Sequence, residues 1–183
     1  MRCYIVHKEA LIMKDNALAV ANYFIELAQK ENKPITQLGL IKRVYIAHGF
    51  SLAIYHKPLL DPRFDRVEAW RYGPVIPSVY HSFKQVKANP ITEKTVVMNW
   101  NEEKCMPEFH TPELEDKQAQ DIVRMVWRRY SKMSDSGIVT LTHRKGTPWD
   151  VCYIQGENQQ IPDEVTESYY KQIVDAFIAK QKC

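Results

Sequence analysis

The chain has 183 residues and a net charge of +3, and its apolar (45%) and charged (26%) fractions are those of an ordinary globular protein. A chain of this length can form a core without the help of a disulfide or a metal ion. The positive charge is too small for a dedicated nucleic-acid-binding protein, and no apolar run reaches the roughly 18 residues of a membrane-spanning helix. We therefore expect no membrane association, and nucleic acid is the least favoured partner.

The cysteines and the chain start bear on the cellular compartment. The four cysteines are scattered and form no CxxC pair, which predicts neither a disulfide framework nor a zinc site and fits a cytoplasmic protein. Residues 1–8 lack the apolar core of a signal peptide. The amphipathic pattern begins just after Met13, so residues 1–12 are either an N-terminal extension or an ordered edge segment, and the domain is predicted over residues 13–183.

The first half of the chain predicts two long helices. Residues 17–30 carry apolar side chains at helical spacing, and a second helix is predicted from an N-cap at Thr36 to residue 55, with one continuous apolar face. Gly49 lies inside the second helix, where glycine costs about 1 kcal/mol relative to alanine. We therefore expect another element to approach closely at Gly49.

The middle of the chain predicts short elements. A strand is expected at the end of residues 59–70, a short helix over residues 77–84 and a second strand over residues 96–100. Residues 101–110 are predicted to be a polar loop.

The last third is again helical. A helix is predicted over residues 111–130, with Thr111 as N-cap, and a shorter one follows from Ser134 to residue 143. Residues 146–150 form a turn, and the final helix covers residues 163–179 with Phe177 on its inner stripe. The predicted fold is mostly α (α+β): a single helical domain with a small β-hairpin or a short two- to three-stranded sheet.

Residues 67–80 contain two prolines, one glycine and three large aromatic residues within fourteen positions. Pro74 fixes its own φ angle, Gly73 permits a positive φ or a close backbone contact, and Pro77 suits the first position of a helix. This strand-to-helix corner is therefore predicted to be rigid. The aromatic residues of the corner are Trp70, Tyr72 and Tyr80. They either anchor the corner by burial or form an exposed surface for a partner protein.

The corner and several shorter segments resemble a known family. The matching segments are residues 22–24, 40–49, 58–59, 68–80 and 146–149. Their order and spacing resemble the Panacea domain, also described as the phage-associated or SocA-like antitoxin family, over about residues 14–180. The most specific matches are Glu68, Ala69, Trp70, Tyr72, Gly73, Pro74 and Pro77. The chain departs from the pattern at Gly39 and Arg43.

The resemblance implies a function through protein contact, with no cofactor. Family members are bacterial and phage antitoxins that neutralise a toxin by direct binding, and the toxin gene often lies beside the antitoxin gene. At least one type is an adaptor that delivers its toxin to a protease. We therefore expect an antitoxin-like interaction protein. The alternative is a proteolytic adaptor, which needs a second binding surface, for which residues 99–112 and 180–183 are candidates.

Candidate partner-binding residues fall into two groups. The aromatic group is Trp70, Tyr72, Tyr80 and Trp149. The basic group is a stripe on the helix predicted over residues 111–130, formed by Arg124 and Arg128. The stripe is a solvated helix face, a surface that attracts an acidic partner, or, least favoured, a contact with nucleic acid.

The sequence supports an enzyme only weakly. It contains no GxSxG, HExxH, P-loop or GxGxxG motif, so we assign no catalytic residue and no metal ligand. The remaining enzyme hypothesis is an uncharacterised hydrolase acting on nucleotides or peptides through His48, His81 or Glu68. His48 is more typical of a hydrogen-bonded core histidine. Glu68 is expected to pair with Lys42 or Arg71.

Overall fold

The described part of the chain contains seven helices and five strands. The computed structural model describes residues 16–181. The helices are α1 (Asn16–Lys30), α2 (Gln37–Tyr55), α3 (Pro77–Phe83), α4 (Lys117–Tyr130), α5 (Asp135–Thr142), α6 (Pro148–Cys152) and α7 (Asp163–Gln181). The strands are β1 (Glu68–Trp70), β2 (Gly73–Val75), β3 (Val97–Asn101), β4 (Met106–His110) and β5 (Gln159–Gln160). The mostly helical fold class is confirmed.

Helix α2 is the centre of the core. It contacts α1, α3, α4, α5, α7 and β2. Residues 39–53 are all buried, so α2 is covered on every side, as expected for a central helix. The prediction of one apolar face was therefore too narrow. The predicted N-cap is confirmed, because the Thr36 hydroxyl accepts a hydrogen bond from the Gly39 N–H at 3.1 Å.

Polar side chains of α2 form hydrogen bonds with the surrounding helices. Arg43 donates to the backbone carbonyls of Tyr130 and Met133 at 2.9 and 3.0 Å, which satisfies carbonyls at and beyond the end of α4. The His48 Nε2 lies 2.9 Å from an Asp163 carboxylate oxygen at the start of α7. His48 is 1% exposed, which confirms the prediction of a hydrogen-bonded core histidine. These bonds fix the positions of α4 and α7 relative to α2.

The expected close approach at Gly49 is confirmed. A Cβ atom added to Gly49 would lie 2.3 Å from the ring of Tyr170, which packs on α2 from α7. The ring of Phe50 packs against the same tyrosine with a centroid distance of 5.0 Å. Glycine is therefore present because the ring occupies the space that a side chain would need.

We expect Gly49→Ala to destabilise the protein. Overpacking against Tyr170 costs about 1–3 kcal/mol, and the gain in helix propensity of about 1 kcal/mol offsets only part of this. Chemical denaturation measures the change in the free energy of unfolding. The loss should be smaller when Gly49→Ala is made in a Tyr170→Leu background. An equal loss in both backgrounds would show that the ring is not the cause.

The segment predicted as a polar loop contains a strand. β4 pairs with β3 in an antiparallel hairpin, with Asn101 opposite Met106 at the loop end and Val97 opposite His110 at the base. The prediction of a loop over residues 101–110 was wrong for Asn101, the last residue of β3, and for residues 106–110. Proline is tolerated in β4 at position 107 because β4 is an edge of a two-stranded sheet.

A buried asparagine holds both ends of this hairpin. The Asn22 side-chain amide donates to the carbonyls of Thr95 and Pro112 at 3.1 and 3.0 Å, and its carbonyl accepts from the Thr95 N–H at 2.9 Å. Asn22 is 2% exposed. One residue precedes β3 and the other follows β4, so the bonds fix where the hairpin leaves the helical body.

The hydrogen bond from Asn22 to Pro112 also explains where α4 begins. Helix α4 starts at Lys117 with Asp116 as N-cap, which accepts from the backbone N–H groups of Gln118 and Ala119. The predicted start at Thr111 was wrong. The carbonyl of Pro112 bonds to Asn22 and is not available for a helical turn, and residues 111–116 form no helix.

The C-terminal elements match the predictions in part. Ser134 caps α5 as predicted, but the turn at residues 146–150 continues into the short helix α6, and β5 was not predicted. In α7 the buried residues are Thr166 and Tyr170. Phe177 is 53% exposed, so its assignment to the inner stripe was wrong. Within residues 16–181 no helix is both long enough and apolar enough to cross a membrane.

Candidate functional site

The corner of residues 67–80 is an antiparallel hairpin followed at once by α3. Trp70 pairs with Gly73 and Ala69 with Pro74, while β5 pairs with the other edge of β1. Gly73 has a φ angle of +97°, a conformation that L side chains rarely adopt. The glycine therefore permits the turn, and Pro74 and Pro77 restrict the chain that follows it.

A buried lysine lies beneath the corner. Lys42 of α2 is 0% exposed, and its Nζ donates to the Pro74 carbonyl at 2.9 Å. No ion pair joins Lys42 to a carboxylate within residues 16–181, and burial lowers its pKa to about 7. The hydrogen bond ties the edge strand β2 to the central helix, and it places a cation beside the backbone of the corner whenever the lysine is protonated.

Glu68 has partners other than the predicted ones. Its carboxylate accepts from the Arg66 Nε at 2.9 Å and from the Trp70 indole N–H at 2.8 Å. The predicted pairing with Lys42 or Arg71 was wrong. Residues two apart in an extended chain share one face, so Glu68 meets Arg66 and Trp70 on its own face of β1. The carboxylate thereby orients the indole of Trp70.

His143 fills the space that Gly73 leaves. A Cβ atom on Gly73 would lie 2.5 Å from the His143 ring and 2.8 Å from the Lys42 Nζ. The His143 Nδ1 donates to the Val139 carbonyl at 2.7 Å. Burial, together with the charge of Lys42, lowers the pKa of His143, which favours the neutral imidazole. The corner is therefore packed directly on a lysine and a histidine.

Trp149 supports the corner from α6. Its indole N–H donates to the Trp70 carbonyl at 2.7 Å. Its ring lies against His143 with a centroid distance of 4.1 Å and stacks on Tyr153 at 4.7 Å. Three contacts hold this side chain within the fold, so it fixes the end of β1.

The other three predicted aromatic residues line one surface groove. This corner groove has a volume of about 380 Å³. Its apolar walls are formed by Leu38, Ile41, Trp70, Tyr72, Val75 and Tyr80. The rings of Trp70 and Tyr80 meet edge to face at 4.9 Å. Tyr72 is 66% exposed, so an apolar surface is already open to a partner.

The guanidinium of Arg71 lies at the rim of the corner groove. Arg71 lines the groove, and its guanidinium lies 5.5 Å from the centre of the Tyr72 ring. Lys42 also contributes to the lining. Gln37 and Asn158 supply neutral polar groups. The groove is therefore suited to an apolar side chain of a partner with a carboxylate nearby.

The basic stripe lies elsewhere. Arg124 bonds to the Tyr23 hydroxyl and to Asp121, both at 2.6 Å, so its guanidinium already has partners within the fold. Arg128 is exposed on the same helix. Helix α4 contributes no residue to the lining of the corner groove. The two predicted groups of partner-binding residues therefore do not form one site.

The residues considered for an enzyme are not brought together in the groove. None of His48, His81 and Glu68 lines it. His48 bonds to Asp163, and His81 is exposed beside the ring of Tyr80. No cluster of three or more metal-ligating side chains occurs within residues 16–181. The three residues considered for an enzyme therefore do not meet in the groove.

Sequence reasoning missed two residues of this site and gave Lys42 the wrong partner. Lys42 and His143 pack under Gly73, and Leu38 forms part of the groove wall. Lys42 was expected to pair with Glu68, whereas its Nζ donates to the Pro74 carbonyl. No local signal points to His143, because its contact with the corner joins residues far apart in the chain.

Comparison with known proteins gives a consistent result. The family model "Antitoxin SocA-like, Panacea domain" matches residues 40–150, which include the corner and Trp149. Antitoxin SocA of Caulobacter vibrioides (strain NA1000 / CB15N) is 31% identical over 138 residues, which cover 74% of this chain and 69% of that protein. No solved structure matches the chain.

Proposed function

The chain belongs to the SocA-like antitoxin family with a Panacea domain, and on this premise we propose that it neutralises a cognate toxin by binding it directly. The observation that carries the proposal is the corner groove, in which Trp70, Tyr72 and Tyr80 meet on a rigid support. The partner is a toxin protein, which we expect to be encoded by the adjacent gene.

The physical basis is a small number of dominant contacts. A stable complex buries about 800 Å² on each partner, and aromatic and arginine residues near the centre supply most of the affinity. Tyr72 and Arg71 have this chemistry and lie beside each other on the groove. The bonds of Lys42 and Trp149 to the corner reduce the ordering cost of binding.

Co-expression with the product of the adjacent gene tests the proposal. That gene is expressed alone and together with this chain, growth is scored, and any complex is purified. Toxicity that this chain relieves by forming a stable complex supports direct neutralisation. Relief accompanied by loss of the toxin protein favours delivery to a protease. A toxin that remains active in the presence of the purified chain would contradict the proposal.

We expect Tyr72→Ala to weaken the complex by about 30-fold or more, the effect of removing a central aromatic contact. The stability of the free protein should change little, because the side chain is 66% exposed. Titration calorimetry measures the affinity. Phe177→Ala is the matched control, since it removes an aromatic residue that is 53% exposed on α7 and outside the groove. An unchanged affinity in Tyr72→Ala would exclude the groove as the toxin site.

Trp70→Ala separates two roles of that residue. The indole N–H bonds to Glu68, and the ring contacts Tyr80, so the substitution removes support from the corner as well as surface from the groove. If Trp70→Ala unfolds the protein, its role is structural. Weaker binding with retained stability would instead favour a partner contact.

A further inference from the structure

The β3–β4 hairpin presents an apolar face to solvent. Met98 lies opposite Phe109, and Trp100 lies opposite Pro107, so these four side chains share one face of the hairpin. Met98, Trp100 and Phe109 are 56%, 60% and 68% exposed. Two-stranded hairpins are only marginally stable without a further strand or a covering element. This face therefore has the character of a contact surface.

The hydrogen-bonding groups of the two edges differ. Pro107 has no N–H, so the pair of Trp100 and Pro107 belongs to the non-hydrogen-bonded positions of the ladder, and the pair of Met98 and Phe109 belongs to the same class. Backbone groups at these positions point away from the partner strand. The outer edge of β3 therefore offers an N–H and a C=O at both Met98 and Trp100.

The outer edge of β4 is less suited to an additional strand. Phe109 offers both groups there, but Pro107 offers only its carbonyl. Proline on an edge strand is a common protection against unwanted pairing. The hairpin thus has one blocked edge and one competent edge, and no backbone hydrogen bond of the described residues uses the outward groups of Met98 and Trp100.

Charge indicates the kind of segment that fits the competent edge. Residues 93–116, which contain the hairpin and its flanks, carry seven acidic and two basic residues, although the chain as a whole has a net charge of +3. A second copy of this chain would bring a like-charged hairpin to the edge, which opposes pairing. A partner segment with basic flanks is favoured instead.

The hairpin is also fixed in position before any partner arrives. Asn22 holds the chain on both sides of the hairpin through hydrogen bonds to Thr95 and Pro112. Lys94, which precedes β3, pairs with Glu26 of α1 at 2.8 Å. A strand added to a fixed edge loses less conformational freedom than one added to a mobile loop.

We propose that the outer edge of β3 binds an extended segment of the toxin as a third strand. The segment carries apolar side chains at alternate positions, which cover Met98 and Trp100, and lysine or arginine residues at its flanks. Strand addition of this kind gains affinity from backbone hydrogen bonds and specificity from alternate side chains. The identity of the partner as the toxin rests on the proposed function; the binding chemistry of the edge does not.

A synthetic peptide tests the edge without the toxin. The probe is a short peptide of alternating valine and threonine with a lysine pair at each end, and the control has glutamate pairs in their place. Binding to the full chain is followed by NMR, with amide hydrogen exchange measured at Met98, Trp100 and Phe109. We expect the lysine-flanked peptide to slow amide exchange at Met98 and Trp100 but not at Phe109. The glutamate-flanked control should bind at least about tenfold more weakly.

Proline variants distinguish the two edges. Met98→Pro removes an outward N–H and no hydrogen bond within the hairpin, and Met98→Ala removes the side chain alone. We expect Met98→Pro to weaken peptide binding about tenfold more than Met98→Ala does, because the peptide loses one backbone bond. Phe109→Pro and Phe109→Ala form the matched pair on the blocked edge and should bind the peptide equally well.

Several results would overturn the proposal. They are the absence of binding at millimolar peptide, slowed exchange at Phe109 in place of Met98, and equal binding by Met98→Pro and Met98→Ala. Protection of Met98 without peptide that grows with protein concentration would assign the edge to a second copy. Protection without peptide that disappears in a chain starting at Met13 would assign it to the chain's own first residues. Failure here leaves the corner groove as a toxin site, and failure of the co-expression test leaves the edge as a peptide site.

Discussion

Replacing Gly73 by alanine should lower the free energy of unfolding by about 2–5 kcal/mol. Two costs combine at this position. The φ angle of +97° is unfavourable for any residue with a Cβ atom and costs about 1–2 kcal/mol. The added methyl group would also lie 2.5 Å from the His143 ring and 2.8 Å from the Lys42 Nζ, and overpacking of this kind costs about 1–3 kcal/mol. Thermal and chemical denaturation measure the total.

Gly146→Ala is the matched control for the backbone cost. Gly146 has a φ angle of +81°, but a Cβ atom there would meet nothing within 4 Å. The difference between the two variants therefore isolates the packing of the corner on Lys42 and His143. Combining Gly73→Ala with His143→Ala should recover part of the loss. Equal destabilisation by Gly73→Ala and Gly146→Ala would show that the corner does not depend on this packing.

Local signals explain which parts of the fold could be predicted. Thr36 and Ser134 were identified as N-caps because a hydroxyl before an apolar periodic run satisfies backbone N–H groups within a few residues of itself. Gly73 and Pro74 indicated the corner for a similar reason. Gly73 permits a positive φ angle, and Pro74 fixes its own φ angle. These features depend on short stretches of chain.

Long-range contacts explain the errors. The start of α4 was wrongly placed at Thr111. The bond between Asn22 and the Pro112 carbonyl, which prevents a helix there, spans 90 residues of sequence and leaves no local signal. Strand β4 was missed because only its pairing with β3 makes Pro107 an edge residue. In the site, the groove residues Trp70, Tyr72 and Tyr80 were predicted from the corner itself. The packing of His143 under Gly73 required the whole fold.

Raising the pH should stabilise the protein through Lys42. Burial lowers the pKa of Lys42 to about 7, whereas the ordinary value for lysine is 10.5. Between these values the unfolded chain holds a proton that the folded chain has released, so unfolding takes up a proton. The free energy of unfolding therefore rises as the pH increases from about 7, with a limiting slope of about 1.4 kcal/mol per pH unit. Below the folded pKa both states are protonated, and the cost of burying the charge is fully present.

Lys42→Met isolates this contribution from the other groups that titrate at alkaline pH. The variant keeps a long apolar side chain in α2 but cannot take up a proton, so its curve should lack the Lys42 slope. Relative to the variant, the wild type should gain about 2 kcal/mol between pH 7.5 and 9.5 in urea denaturation. Lys180→Met, at an exposed position of α7, should leave the wild-type curve unchanged in shape. If the curves of wild type and Lys42→Met run parallel, Lys42 has no lowered pKa, and the corner is held over a lysine that keeps its proton throughout this range.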